Sequence, residues 1–161
     1  MHVMRATAAI QVRPARDGDR PFILGLAPRL AEFDLPPWRS AGEIAQGEAQ
    51  TLAAALSTLP ADADLLVAES PEGERLGFIF LETDIDYFRG TPHAHVGILA
   101  VDQAAEGRGV AGALMQAGEE WARARGYQMI TLNVFEANSR ARAVYQRLGY
   151  LPETLRYVKP L

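Results

Sequence analysis

Residues Leu99 to Gly112, Leu-Ala-Val-Asp-Gln-Ala-Ala-Glu-Gly-Arg-Gly-Val-Ala-Gly, narrow what this chain can be more than any other stretch. A buried-type strand, His95 to Val101, runs into a loop, and the loop runs into a glycine-rich helix start. The first amides of a helix have no partner inside it, and the helix dipole places about half a positive charge there. Gly107, Gly109 and Gly112 let an anion reach those amides without a Cβ in the way, and Arg108 adds a cation. The chemistry suits a pyrophosphate. Two other readings share the pattern. One is a glycine-rich helix start that holds nothing. The other is a dinucleotide turn, because Gly107, Gly109 and Gly112 satisfy G-x-G-x-x-G and Glu136 follows at the end of the next strand. Spacing weighs against the dinucleotide turn: five residues separate Val101 from Gly107, where that motif places glycine almost directly after the strand. A Walker loop is ruled out, since no Gly-Lys-Ser/Thr follows.

The rest of the chain supplies the setting. Ala8 to Val12 reads as a first strand, closed by Arg13-Pro14, and Asp17 as the N-cap of a helix to about Phe33. Ser40 caps a second helix through Leu59. Leu65 to Ala68 and Leu76 to Thr83 form a hairpin around the turn Pro71-Glu72-Gly73-Glu74. A longer connection, Asp84 to Pro92, leads to the fourth strand. The helix from Gly109 to Arg125 carries Val110, Ala113, Leu114, Ala117 and Trp121 on one stripe and ends at Gly126. A strand over Gln128 to Phe135, a helix over Asn138 to Leu148 and a last strand over Tyr150 to Val158 follow. The expected order is β-α-α-β-β-β-α-β-α-β: an α/β chain with one mixed sheet flanked by helices. Its 161 residues fit a single domain with a sizeable core.

Composition removes several function classes. There is no cysteine, so disulfides, thiolate metal sites and a cysteine nucleophile are excluded, and no credible metal ligand set stands out. A net charge of -4 argues against broad binding to nucleic acid or to an acidic membrane surface. No apolar run approaches the roughly 20 residues that span a bilayer. The N-terminal stretch Met1 to Ala15 is too short and too interrupted in its apolar part for a signal peptide, so a cytoplasmic location is expected.

Two motifs carry a resemblance. Leu-Ala-Val-Asp-x4-Gly-Arg-Gly-Val-Ala resembles the acetyl-CoA loop of the GNAT acetyltransferase superfamily. Asn138-x-x-Ala141-x-x-Val144-Tyr145-x-x-Leu148-Gly149-Tyr150 is similar to that family's second conserved segment, in the family's order and with a strand between. The match covers Leu65 to Leu161. It implies a single N-acetyltransferase domain, with residues 65–161 as the acetyl-CoA-binding core and residues 1–64 as a variable acceptor-side part. It also implies that the backbone of Leu99, Ala100 and Val101 pairs with the pantetheine arm. The turn Gly107, Arg108, Gly109, Val110, Ala111 and Gly112 then holds the pyrophosphate, with Glu106 where relatives usually carry Gln or Arg. Asn138 contacts the cofactor or simply caps its helix, and Arg140, near the start of that helix, either lies on a solvated face or reaches a phosphate. Tyr145 acts as the general acid that protonates the departing thiolate, where its place on the apolar stripe Ala141, Val144, Tyr145 and Leu148 alone would read as a core aromatic.

The same resemblance leaves the general base open. Relatives often carry a Glu on the fourth strand, in line with Gly97 here, and glycine cannot serve. His93, His95 and Glu82 lie nearby, and His95 and Glu82 are the candidates carried forward, beside a water chain. A glycine inside a strand points to a bulge or a close backbone approach. Asp84 and Asp86 could meet a cationic acceptor or be solvated loop residues. Phe33 and Trp38 could cover the acceptor or pack between the first two helices. The expected reaction is direct transfer of an acetyl group from acetyl-CoA to an amine of a small molecule or peptide, by a homodimer. The alternatives are a non-catalytic acyl-CoA-binding or regulatory module and, at greater distance, a dinucleotide-binding oxidoreductase.

Overall fold

Four successive apolar strands build the sheet, β3 with six consecutive buried residues and β4 with alternating burial along most of its length. In the computed structural model, which describes residues 9–161, β1 (Gln11–Pro14), β2 (Asp64–Glu69), β3 (Arg75–Ile85) and β4 (Pro92–Val101) pair antiparallel in chain order. β5 (Ile130–Leu132) adds to β4 in parallel. Ala8, where the sequence places the start of β1, lies outside the described residues. Pro14 is tolerated because β1 is an edge strand.

The sheet separates two apolar layers. On one face Phe78, Phe80, Ile98 and Ala100 pack with Ile23, Leu26 and Leu52 from the helical segments that precede β2. On the other face Ile79, Leu81 and Val96 pack with Val110, Leu114 and Met115 of α3 (Val110–Ala124). α3 lies close to the sheet at Gly118, where an added Cβ would sit 3.1 Å from Leu81. Burial of these side chains at about 25 cal/mol per Å² dominates the stability of a domain this size. One polar group is fully buried among them. Asp19 accepts hydrogen bonds from Arg13 (2.7 and 3.0 Å), Arg75 (2.6 Å) and the Arg16 amide (2.7 Å), which hold its carboxyl well below the usual range.

Several boundaries differ from the sequence reading. The single helix expected over Asp17 to Phe33 is three short pieces: a 3-10 turn (Asp17–Asp19), α1 (Arg20–Gly25) and a second 3-10 turn (Ala27–Ala31). Pro21 and Pro28 each lack an amide hydrogen and open a new turn. α2 (Ala41–Ser57) begins as expected, with Ser40 and Glu43 capping each other (3.1 and 3.3 Å), but stops before Leu59. β3 and β4 are longer than expected. Asp86 accepts from the amides of Phe88 (3.0 Å) and Arg89 (2.7 Å), so it builds the turn between them. α4 (Ser139–Arg147) is followed by Gly149 at φ 89°.

The last strand, expected over Tyr150 to Val158, does not form. Residues 151–161 have no regular structure and are exposed. β5 holds only three residues, short of the eight expected, and Pro152 and Pro160 have no amide hydrogen to give a ladder. The expected order therefore holds through α4 and loses its final element. No helix among the described residues is long and apolar enough to cross a membrane.

Candidate active site

The site begins where two neighbouring strands part. β4 pairs with β5 only from Ala94↔Ile130 to Val96↔Leu132, while β4 itself runs on to Val101. Beyond Leu132 the chain leaves the sheet, and Phe135 packs on Phe33 with ring centroids 5.0 Å apart. That leaves a gap in the sheet beside the second half of β4, which has no strand partner on that side among the described residues. Backbone direction along that half follows from one bond. The Asp102 amide donates to the Leu76 carbonyl (2.8 Å), so by alternation Ala100 faces β3, and Leu99 and Val101 turn their polar groups to the gap. Of the three residues expected to pair with a ligand arm, Leu99 and Val101 stand at the open edge. Ala100 is turned inward and buried. The Val101 carbonyl accepts from Arg29 Nε (3.0 Å), a residue with no signal in the sequence, because the contact spans 72 positions.

The open edge leads into the glycine turn. A 3-10 turn (Gln103–Ala105) is followed by Gly107 at φ 75° and Gly109 at φ 80°, a left-handed conformation that glycine adopts without penalty. Among the described residues no carbonyl or side chain accepts from the amides of residues 107–112. A Cβ built at Gly107, Gly109 or Gly112 meets nothing within 4 Å. The amides of Arg108, Val110 and Ala111 are among these unpartnered donors, whereas the Val110 side chain is buried in the core. The Arg108 guanidinium is exposed, 3.7 Å from Glu74. Glu106 does not stand as a bare carboxylate beside this turn. Arg140 (2.9 Å) and Arg29 both donate to it and hold its carboxyl down to about 2. Arg140 thus joins the turn from α4, through Glu106.

Asn138 caps α4, its Oδ1 accepting from the Ala141 amide (3.2 Å). Tyr145 lies half-buried against the α3 layer, edge-on to Tyr150 at 6.1 Å between centroids. Burial pushes its phenol up, and the hydroxyl buried without a hydrogen-bond partner among the described residues is that of the neighbouring Tyr150. Glu136, where a dinucleotide site would want a ribose ligand, is exposed and 3.6 Å from Arg142.

The opposite face of the sheet gathers polar side chains next to the gap. Glu82 on β3 stands across from His95 on β4. His95 Nδ1 and His93 Nε2 lie 2.8 and 3.1 Å from the single hydroxyl of Thr131, so at least one imidazole supplies the hydrogen of these contacts. Asp84 is 3.7 Å from His95. Burial pushes the Glu82 carboxyl up, partly opposed by His95. Glu48 on α2 is also raised, by burial and by the charge of Glu82. Glu48 lines an open cleft of about 430 Å³ with Arg39, Glu43, Ile44, Gly47, Thr51 and Phe135. Phe33 therefore packs against Phe135 beside this cleft, while Trp38 is largely exposed. Glu48 and Thr131 had no signal in the sequence. No group of three or more metal-ligating side chains occurs among the described residues.

Comparison with known proteins places this arrangement. The profile of the Acetyltransferase (GNAT) family matches residues 28–150, and the chain belongs to that family. A mycothiol acetyltransferase of Saccharomonospora viridis is 37% identical over 93 residues, which cover 55% of this chain and 30% of that protein. The chain thus spans less than a third of that relative's length. A solved structure, a putative acetyl transferase from Pyrococcus furiosus, superposes with a TM-score of 0.74 at 24% identity, covering 95% of this chain and all of that one. AAC(6')-Iy, in complex with the bisubstrate analog CoA-S-monomethyl-acetylneamine, gives a TM-score of 0.66 at 21% identity, covering 95% of this chain and 99% of that one. At such identities these likenesses concern the fold.

Proposed function

We propose that this chain transfers an acetyl group from acetyl-CoA to a primary amine of a small molecule or peptide by direct attack. One observation carries the reading: the open edge of β4 at Leu99 and Val101 runs straight into the unpartnered amides of Gly107 to Gly112. An arm bearing amides and ending in a diphosphate is complementary to both parts. Leu99 and Val101 would bond the arm, and the turn would take the diphosphate on its amides. Asn138 and Arg140 flank it from α4. Tyr145 keeps its proton at neutral pH, as a donor to a leaving thiolate must. The structure of AAC(6')-Iy in complex with the bisubstrate analog CoA-S-monomethyl-acetylneamine supports the choice of substrates.

Acetyl-CoA is expected to raise the melting temperature by several degrees, and a free-thiol readout across an amine panel is expected to find turnover. A flat response to both acetyl-CoA and CoA overturns the proposal. Tyr145→Phe should lower kcat about 10²-fold with KM within a factor of three, the range for lost general acid catalysis. An unchanged kcat would take Tyr145 out of the reaction. The proposal includes a homodimer that covers the exposed Leu151, Leu155 and Tyr157, and sedimentation of the intact chain as a monomer at micromolar concentration would refute that part.

A further inference from the structure

Gly97 sits at a slip in register. Phe80 pairs with Ile98 and Leu81 with Val96, so Gly97 is an extra residue, a bulge, on β4. It is not glycine for the sake of its backbone, because its φ is not positive. It is glycine for space. A Cβ at position 97 would overlap a carboxylate oxygen of Glu82 and lie 3.2 Å from the Phe80 ring. Glu82 thus reaches from β3 across to β4 and lays its carboxylate over the bulge. Gly97 is also the first residue past the last β4–β5 pair, so the carboxylate stands where the gap between the strands begins. Of the neighbouring polar groups, His93 is buried, with Nε2 on Thr131 (3.1 Å) and Nδ1 unpartnered among the described residues. His95 Nδ1 is engaged by Thr131, Asp84 is exposed near the hairpin, and Glu48 lies on α2.

We infer that Glu82 is the general base of the transfer, and that the missing side chain at Gly97 positions its carboxylate at the opening of the gap. The inference rests on the transferase reading above. The neutral acceptor amine forms a bond from its nitrogen to the acetyl carbonyl carbon, and the carbon–sulfur bond breaks with its electron pair going to sulfur. The nitrogen's proton passes to Glu82 and the hydroxyl proton of Tyr145 to sulfur. Glu82 then releases its proton to solvent and Tyr145 regains one.

The test uses the intact chain with acetyl-CoA and the best amine from the panel. Glu82→Gln should lower kcat at least 100-fold, leave the Kd for acetyl-CoA within twofold, and remove the acidic limb of the kcat/KM profile. That limb reflects Glu82 as set by His95, Asp84, Asp62 and Glu48 around it. Gly97→Ala, which deletes no chemical group, should cost about tenfold in kcat by pushing the carboxylate away. The exchange Glu82→Gly with Gly97→Glu, which carries the carboxylate to the other strand, should recover at least tenfold over Glu82→Gln. A Glu82→Gln enzyme within threefold of the parent, or one that keeps the acidic limb, overturns the assignment and leaves the transferase reading standing. A parent protein that binds acetyl-CoA but acetylates no amine overturns both.

Discussion

The first half of β4, Pro92–Val96, and the second, Gly97–Val101, are one strand with two different fates. The first has β3 on one side and, from Ala94, β5 on the other; the second keeps β3 and loses β5. Side-chain burial hardly distinguishes them, since Val96, Ile98 and Ala100 are all buried. What differs is the backbone edge. A sheet interior satisfies every main-chain donor and acceptor, and a deliberately withheld neighbour leaves a row of them for something else to pair with. The candidate site is therefore made by stopping β5 at Leu132, and the bulge at Gly97 marks the point of change.

Proline probes this difference most severely. At position 100 it would remove an amide that faces β3, leaving the Phe78 carbonyl unpaired in the core at a cost of about 1–3 kcal/mol. Ala100→Pro should lower the melting temperature by several degrees or more. At position 99 proline would remove an amide that faces the gap, where no ladder bond is lost. Leu99→Pro is expected to keep most of the thermal stability and to lose acetyl-CoA binding at least tenfold by calorimetry. Equal melting temperatures for the two variants would show that the two edges of this half-strand are not different after all.

The next effect comes from the turn at the end of the open edge. Gly109 precedes α3 at φ 80°, and any other L-residue there is strained by about 1–2 kcal/mol. Gly109→Ala should loosen the amides of residues 107–112, raising the Kd for acetyl-CoA about tenfold while the fold persists. An affinity unchanged by Gly109→Ala would detach the turn from binding and leave the strand edge alone responsible.

What was legible in the sequence follows the same division. The strand, loop and helix around Gly107 could be read because left-handed backbone and a helix start leave glycines in a local pattern. Ser40, Gly126 and Asn138 could be read as caps for a similar reason. The bulge expected of Gly97 is present, but its cause, the reach of Glu82 from a neighbouring strand, is a contact across 15 positions that no local pattern records. Arg29 is more distant still from Val101 and Glu106. The end of β5 is not legible because Val134 and Phe135 have strand-like side chains. In the fold Phe135 instead packs on Phe33, a contact across the chain that the local sequence does not record. The last strand fails for two reasons: β5 offers only three residues to pair with, which no local pattern records, and Pro152 has no amide hydrogen to give.

The mildest test concerns Glu106, which ties Arg29 and Arg140 to the turn. Both cations would serve a diphosphate if released, and Arg29 also holds the Val101 carbonyl at the open edge. Glu106→Gln keeps the shape of the side chain and removes the charge. It should tighten acetyl-CoA binding a few-fold at low salt, and the gain should shrink as ionic strength rises. The sign with pH follows from a carboxyl lowered from its ordinary 4.5 to about 2. Its ion pairs stabilise the fold above pH 4.5 and are lost as pH falls toward 2, so the two proteins should converge in melting temperature over that interval and differ by a constant amount from pH 5 to 8. A looser complex with Glu106→Gln would mean that the carboxylate organises the two arginines for the ligand and does not hold them back.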